Sequence, residues 1–119
     1  INLSDDYYRN SIDEIKKIVN NPYFIFLTDD VQYVECFFKD LKNKIVSNNN
    51  MGVDLAIMSN CNYGIVSNSS FSWWGGYLMK KRKTVIFPKY WYGWKSKVES
   101  HISIQPSWGT ILDVETDNK

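Results

Sequence analysis

The sequence predicts an α/β fold, a parallel sheet with helices on both faces, and three observations carry that expectation. Short apolar runs of strand length alternate with segments of helical period. The first of those runs has no polar side, as a strand covered on both faces requires. Small hydroxyl, amide and acidic residues follow the runs where helices would begin. Strands that alternate with helices pair in parallel through right-handed crossovers.

From Asp5 to Asn20, Tyr8, Ile12, Ile15 and Val19 recur at helical spacing, with Asp13, Glu14, Lys16 and Lys17 on the outer face. Pro22 stops this helix. Tyr23-Phe24-Ile25-Phe26-Leu27 then reads as a strand buried on both faces. Thr28-Asp29-Asp30 ends the strand and offers N-cap side chains to a second helix. Its apolar stripe is Val31, Val34, Phe38 and Leu41, with Lys42 and Lys44 at the end that favours positive charge. Lys44-Ile45-Val46 is a short strand, and Ser47-Asn48-Asn49-Asn50 is a loop of turn formers. Val53 to Met58 is apolar and helix-compatible, with Asp54 the only charge in it. Tyr63 to Val66 reads as a strand, Ser67 to Ser70 as a turn, Phe71 to Lys81 as a helix, and Thr84 to Phe87 as a strand that Pro88 ends. From Ser100 onward the sequence is polar and irregular, apart from Ile102, Ile104 and the stretch Trp108 to Leu112.

Composition excludes several function classes. The 119 residues are close to the modal size of one domain, so residues 1–119 are expected to share one core. Fourteen Lys and Arg against thirteen Asp and Glu give a charge of +1, which argues against nucleic acid as a partner. His101 stands alone, and Cys36 and Cys61 are too few and too far apart for a zinc site. No metal is expected. The two thiols suggest a reducing compartment, and no apolar run reaches the length of a membrane span. The first residue is Ile1 and not Met, so the chain is expected to be a piece of something longer. Aromatic residues make up 16%, and all five tryptophans fall after residue 72, so a generous core or an exposed platform at Tyr90 to Trp94 could account for them.

In parallel sheets ligands gather beyond the carboxyl ends of the strands. That rule selects Thr28 to Asp30, Ser67 to Phe71 and Pro88 to Lys97. The block Ser67-Asn68-Ser69-Ser70-Phe71-Ser72-Trp73-Trp74-Gly75-Gly76 runs from a strand through a turn into a helix, so free N–H groups, hydroxyls and the helix dipole converge. An anion fits there, and so does an ordinary N-cap. A helix terminus contributes about 0.3–1 kcal/mol to a bound charge, so it assists a diphosphate without holding one alone. Asn68-Ser69-Ser70 is also a glycosylation sequon, but a turn between buried elements is a poor acceptor. Gly75-Gly76 inside a helix costs about 1 kcal/mol per glycine, so the helix must come close to the sheet or a ligand. At least one of Asp29 and Asp30 is expected to cap a helix, and one could bind a ligand hydroxyl or act as a base. Asp54, a charge in an apolar segment, needs a partner: a neighbouring backbone group or a base edge. Lys80, Lys81, Arg82 and Lys83 fall at the end of the sheet away from the ligand, whereas Lys89, Lys95 and Lys97 follow a strand and could reach a phosphate. The Gly-rich dinucleotide and P-loop fingerprints are absent.

Tyr7-Tyr8, Phe24 to Asp30, Asp54 to Cys61, Asn68-Ser69-Ser70-Phe71-Ser72-Trp73-Trp74-Gly75 and Val85 to Trp91 occur in an order that resembles the C-terminal part of the family 11 glycosyltransferases, the α-1,2-fucosyltransferases. The likeness covers nearly the whole chain. It implies the Rossmann-like, donor-binding half of a GT-B enzyme that binds GDP-fucose and, without a metal or other cofactor, transfers L-fucose with inversion to a glycan acceptor, typically galactose at its 2-OH. By the same resemblance the segment holding Asp54 faces guanine and the Ser69-Ser70-Phe71 turn faces the diphosphate. Asn68, Asp29 and Asp30 are expected in the donor site with them, and Lys89 and Trp91 are candidates for phosphate or acceptor contacts. The family's upstream His-x-Arg-Arg-Gly-Asp segment is missing, since the only arginines are Arg9 and Arg82. The chain is therefore expected to lack catalytic residues, to be inactive alone, and to meet its acceptor through an absent half. The expected location is cytoplasmic or peripheral at the inner face of a bacterial membrane. A non-catalytic carbohydrate or protein module using Tyr90 to Trp94 is the alternative reading.

Overall fold

The computed structural model describes residues 5–67, 69–89 and 106–112. In chain order these form α1 (Asp5–Ile18), β1 (Phe24–Leu27), α2 (Val31–Phe37), β2 (Lys44–Ser47), α3 (Met51–Ser59), β3 (Tyr63–Ile65), α4 (Ser70–Tyr77), β4 (Thr84–Pro88) and β5 (Thr110–Leu112). All pairings are parallel: β1 with β2, and β3-β4-β5 in that order. The α/β fold with a parallel sheet read from the sequence is the fold observed.

Strand alternation sorts the core into two layers. Phe24 and Phe26 of β1, Val46 of β2, Tyr63 and Ile65 of β3 and Ile86 of β4 pack against Tyr7, Ile12 and Ile15 of α1 and Val34 of α2, with Phe38 beside them. Leu27, Val66, Val85 and Phe87 point the other way, onto Met58 of α3, Trp73 of α4, Met79 and Trp108. Phe24 and Ile65 belong to the same clusters, so the two sheets share one apolar layer beneath α1. Helices cover both faces.

Four local expectations are corrected. Strand β1 is not buried on both faces, because Ile25 is 42% exposed opposite Ile45 at 52%. Met58 of α3 reaches the Leu27 end of this face and leaves the amino end uncovered. Helix α2 stops at Phe37, well before Lys42, and Lys44 begins β2. The Arg9 guanidinium takes the Phe37 carbonyl, grips both oxygens of Asp40 at 3.0 Å and lies over the Phe37 and Phe38 rings. Helix α4 stops at Tyr77, not Lys81, where Arg82 donates to the carbonyls of Tyr77 and Met79 at 3.2 and 3.0 Å and stacks on Trp108. Finally, Pro88 lies within β4, and Thr110 to Leu112 pairs with that strand.

Both glycines of α4 have a steric reason. A Cβ on Gly75 would overlap the Met58 thioether of α3, and one on Gly76 would press Val66 and Val85 at 3.3 Å. The first lets two helices touch, and the second lets α4 lie on the sheet. Gly75→Ala is expected to destabilise by about 1–3 kcal/mol through overpacking, even against its gain in helix propensity. Urea melts of Gly75→Ala, Met58→Ala and the double variant check this. The double variant should be more stable than the two single losses sum to, because the removed thioether makes room for the added methyl.

Tyr7, 0% exposed, repairs a gap in the ladder. Val66 N–H donates to the Ile86 carbonyl at 2.8 Å, and the next rung of a parallel ladder would run from residue 88 to the Val66 carbonyl. Proline has no N–H to give. The Tyr7 hydroxyl reaches the Val66 carbonyl at 2.5 Å and the Ile86 carbonyl at 3.2 Å, supplying the missing donor from α1. Burial, and secondarily the neighbouring Tyr8, holds this phenol well above the ordinary value of 10.0, with the Ser11 hydroxyl acting in the opposite sense. Tyr7→Phe is expected to cost about 1–3 kcal/mol, with part of the loss recovered by Pro88→Ala, which restores a backbone donor. Because only the unfolded phenol ionises near pH 10, wild-type stability should be complete below that pH and fall above it. Tyr7→Phe should flatten that alkaline decline in pH-dependent melts.

Candidate functional site

The carboxyl ends of β1, β2, β3 and β4 deliver Thr28, Ser47, Ser67 and Lys89 to one edge of the fold, where α2, α3 and α4 begin. At the end of β1, Asp30 is the N-cap of α2: its carboxylate accepts from Tyr33 N–H at 3.2 Å, and its own N–H donates to Thr28 Oγ1 at 2.9 Å. Asp29 is exposed beside it. Of the roles open to this pair, Asp30 takes the cap.

At the end of β2, Asp54 is 7% exposed in the first turn of α3. Its Oδ1 accepts from Ser47 Oγ at 3.1 Å, and Ser47 Oγ accepts from Asn49 Nδ2 at 2.8 Å. The partner that this charge needs is thus the last residue of β2. Asn50 caps α3, its Oδ1 accepting from Val53 N–H at 2.9 Å. The asparagine run is more than a loop of turn formers, since the Asn49 side chain has a specific acceptor and the Asn50 side chain a specific donor. Ser47 and Asn49 were missed by sequence reasoning. A serine at the end of a strand seven residues before a lone buried carboxylate was the available signal.

At the end of β3, Ser69 caps α4 and its Oγ accepts from Ser72 N–H at 3.2 Å. Ser72, 9% exposed, ties the turn together: its hydroxyl lies 3.0 Å from Ser67 Oγ and 2.9 Å from Ser69 Oγ, and accepts from Ser67 N–H at 3.1 Å. Carbonyl oxygens of Ser67 and Ser69 lie at 3.0 and 3.1 Å from the same oxygen. These hydroxyls are spent on one another, so what the turn offers an anion is backbone. The N–H groups of Ser70 and Phe71 have no acceptor within the helix. Ser72 was not among the expected site residues, although it organises the turn that holds them. Asn68, the Ser70 side chain, Trp91 and the Tyr90 to Trp94 stretch lie outside the described residues, as do Lys95, Lys97 and His101.

Helices α3 and α4 pack side by side through Met58 and Gly75. Packed helices lie about 8–10 Å apart, and Asp54 is in the first turn of α3 while Ser69 caps the first turn of α4. Lys89 follows β4 on the same edge, its N–H bonded to the Leu112 carbonyl at 2.9 Å. Both arginines serve helix ends elsewhere, Arg9 between α1 and α2 and Arg82 behind α4. The edge therefore combines one buried acceptor, one helix N-terminus suited to an anion and one lysine. A shallow hollow lined by Lys16, Asn21, Phe24 and Asp40 lies at the opposite, amino end of β1 and shares none of these groups.

No solved structure matches the chain. Two curated relatives do. The chain is 33% identical over 100 residues to an O-antigen biosynthesis glycosyltransferase, WbnK, of Escherichia coli, covering 80% of this chain and 33% of the relative. It is 38% identical over 80 residues to an alpha-1,2-colitosyltransferase of Escherichia coli, covering 63% of this chain and 28% of the relative. The chain thus spans about a third of the length of these relatives. The model of glycosyl transferase family 11 matches residues 2–111, and the chain belongs to that family.

Proposed function

We propose that this chain is the GDP-sugar-binding part of an inverting α-1,2-fucosyltransferase, which moves L-fucose from GDP-fucose to a glycan hydroxyl, the galactose 2-OH. The observation that carries this reading is a buried carboxylate in the first turn of α3, open at one oxygen, on a helix packed against α4, whose N-terminus is capped by Ser69. A carboxylate accepts from guanine N1–H and the exocyclic amine, and a helix N-terminus suits a diphosphate. Asp54 takes the base, the Ser70 and Phe71 amides take the diphosphate within a turn set by Ser69, and Lys89 adds charge. Asn68 and Asp29 complete the donor site, with Asp30 bracing α2 beside it. The name of one relative specifies α-1,2 transfer, and the proposed linkage is the same.

The diphosphate must be neutralised as it leaves, and neither arginine of the sequence stands at this edge. Losing one preorganised donor costs about 10²–10³ in rate, so the chain by itself binds donor and does not turn it over. The acceptor is held by residues outside this chain. No described helix is long and apolar enough to cross a membrane, and Cys36 is a free, exposed thiol. That thiol favours a reducing compartment, the cytoplasm or the inner face of a membrane.

Titration calorimetry of the protein with GDP should give a dissociation constant of about 10–1,000 µM, or −4 to −7 kcal/mol. Amide NMR should show GDP moving the signals of Asp54 and Phe71 together, whereas guanosine, without phosphates, moves Asp54 alone. Absence of any shift at millimolar GDP sinks the proposal. Ser69→Ala should cost about 0.5–2 kcal/mol of stability as a lost N-cap and weaken GDP more than guanosine.

A further inference from the structure

We infer that Ser47 is a positioning residue for Asp54, and that the chain Asn49–Ser47–Asp54 fixes the plane in which the carboxylate reads a nucleobase. The inference rests on the proposal that Asp54 accepts from the donor's base. An amide nitrogen only donates, so Asn49 Nδ2, 2.8 Å away, uses Ser47 Oγ as its acceptor. The single hydroxyl proton of Ser47 is then directed to Asp54 Oδ1 at 3.1 Å. The chain has one direction.

Its base is rigid. The Ser47 carbonyl accepts from Thr28 N–H at 3.2 Å, so β1 holds the backbone of Ser47, and Asp54 N–H is bonded to the Asn50 carbonyl at 3.0 Å. Ser47 and Asp54 are 9% and 7% exposed, which shields this contact from competing water. Each carboxylate oxygen has two lone pairs, and Ser47 occupies one of the four. Oδ2 has no partner among the described residues, yet the fully buried side-chain atom lacking one there is Ser11 Oγ, so Oδ2 keeps access to solvent. A buried carboxylate held by one oxygen and open at the other is arranged to accept from a ligand.

Guanine offers two donors side by side, and both meet a carboxylate only when the two groups are coplanar. Free rotation of the Asp54 carboxylate would keep one contact and lose the second. Ser47 therefore acts on discrimination between bases more than on binding of the phosphates. Ser47→Thr retains the hydroxyl; Ser47→Ala removes it.

The test measures GDP, inosine diphosphate, which lacks the exocyclic amine, and ADP against the wild type, Asp54→Asn, Ser47→Ala, Ser47→Thr and Asn49→Ala. The wild type should prefer GDP to inosine diphosphate by about 10-fold or more, the range of a hydrogen bond to a charged group. Ser47→Ala should reduce that ratio to about 2–3, Ser47→Thr should restore it, and Asn49→Ala should lower it less. A purely structural role would weaken all three nucleotides equally and leave the ratio at its wild-type value, which overturns the inference. Asp54→Asn separates the two claims. If it erases the preference for GDP while Ser47→Ala keeps the wild-type ratio, Asp54 reads the base without Ser47. If it leaves the preference intact, the base-reading proposal fails and this one with it. Should Ser47→Ala melt below the assay temperature, Asn49→Ala on the exposed loop decides, and an unchanged ratio there overturns the inference.

Discussion

The Tyr7 hydroxyl fills the rung that Pro88 leaves open between β3 and β4, and the carboxyl ends of those strands depend on it. A proline in a paired strand removes a donor, and the carbonyl opposite is buried where water cannot replace it. The substitute comes from α1, nearly sixty residues earlier in the chain. One contact therefore closes the ladder and sets the position of α1 over the sheet. It also fixes the strand ends from which the Ser67 turn and Lys89 emerge. Because the phenol is buried and held protonated, it serves as a donor throughout the physiological range.

Three further constraints build outward from that ladder. Gly76 lowers α4 onto Val66 and Val85, and Gly75 brings it against Met58 of α3. Two helices are thereby packed directly against each other. Two arginines then close the ends of α2 and α4, each with carbonyl contacts and an aromatic face. The strand ends themselves carry the capped start of α4, one buried carboxylate and Lys89.

Membership in glycosyl transferase family 11 was legible because its signal is local. Asn68-Ser69-Ser70-Phe71-Ser72-Trp73-Trp74-Gly75 is a contiguous block, and a contiguous block is recognisable without a fold. The same block shows where local reading stops. Its serines suggested ligand contacts, whereas the hydroxyls of Ser67, Ser69 and Ser72 bind one another. Composition locates such a turn, but only the backbone path decides which groups are spent within it. The lone carboxylate Asp54 was similarly conspicuous as a charge among apolar residues, while its partner Ser47 looked like the start of a loop.

By itself the sequence determined the alternation of elements, the parallel α/β fold, the cover of helices on both faces and the segments that follow the carboxyl ends of the strands. Each follows from periodicity and turn chemistry, which act over a few residues. Tertiary structure decided the pairings of single polar groups: Tyr7 with the Val66 carbonyl, Ser47 with Asp54, Arg9 and Arg82 with helix ends. Periodicity placed Tyr8 on the buried stripe and passed over Tyr7, because a helical period identifies a face and not the atom at its far end. Pro88 read as a strand terminator for the same reason. Whether a missing N–H ends a strand or is replaced depends on what another element brings to within hydrogen-bond reach, and that is settled only when the chain has folded.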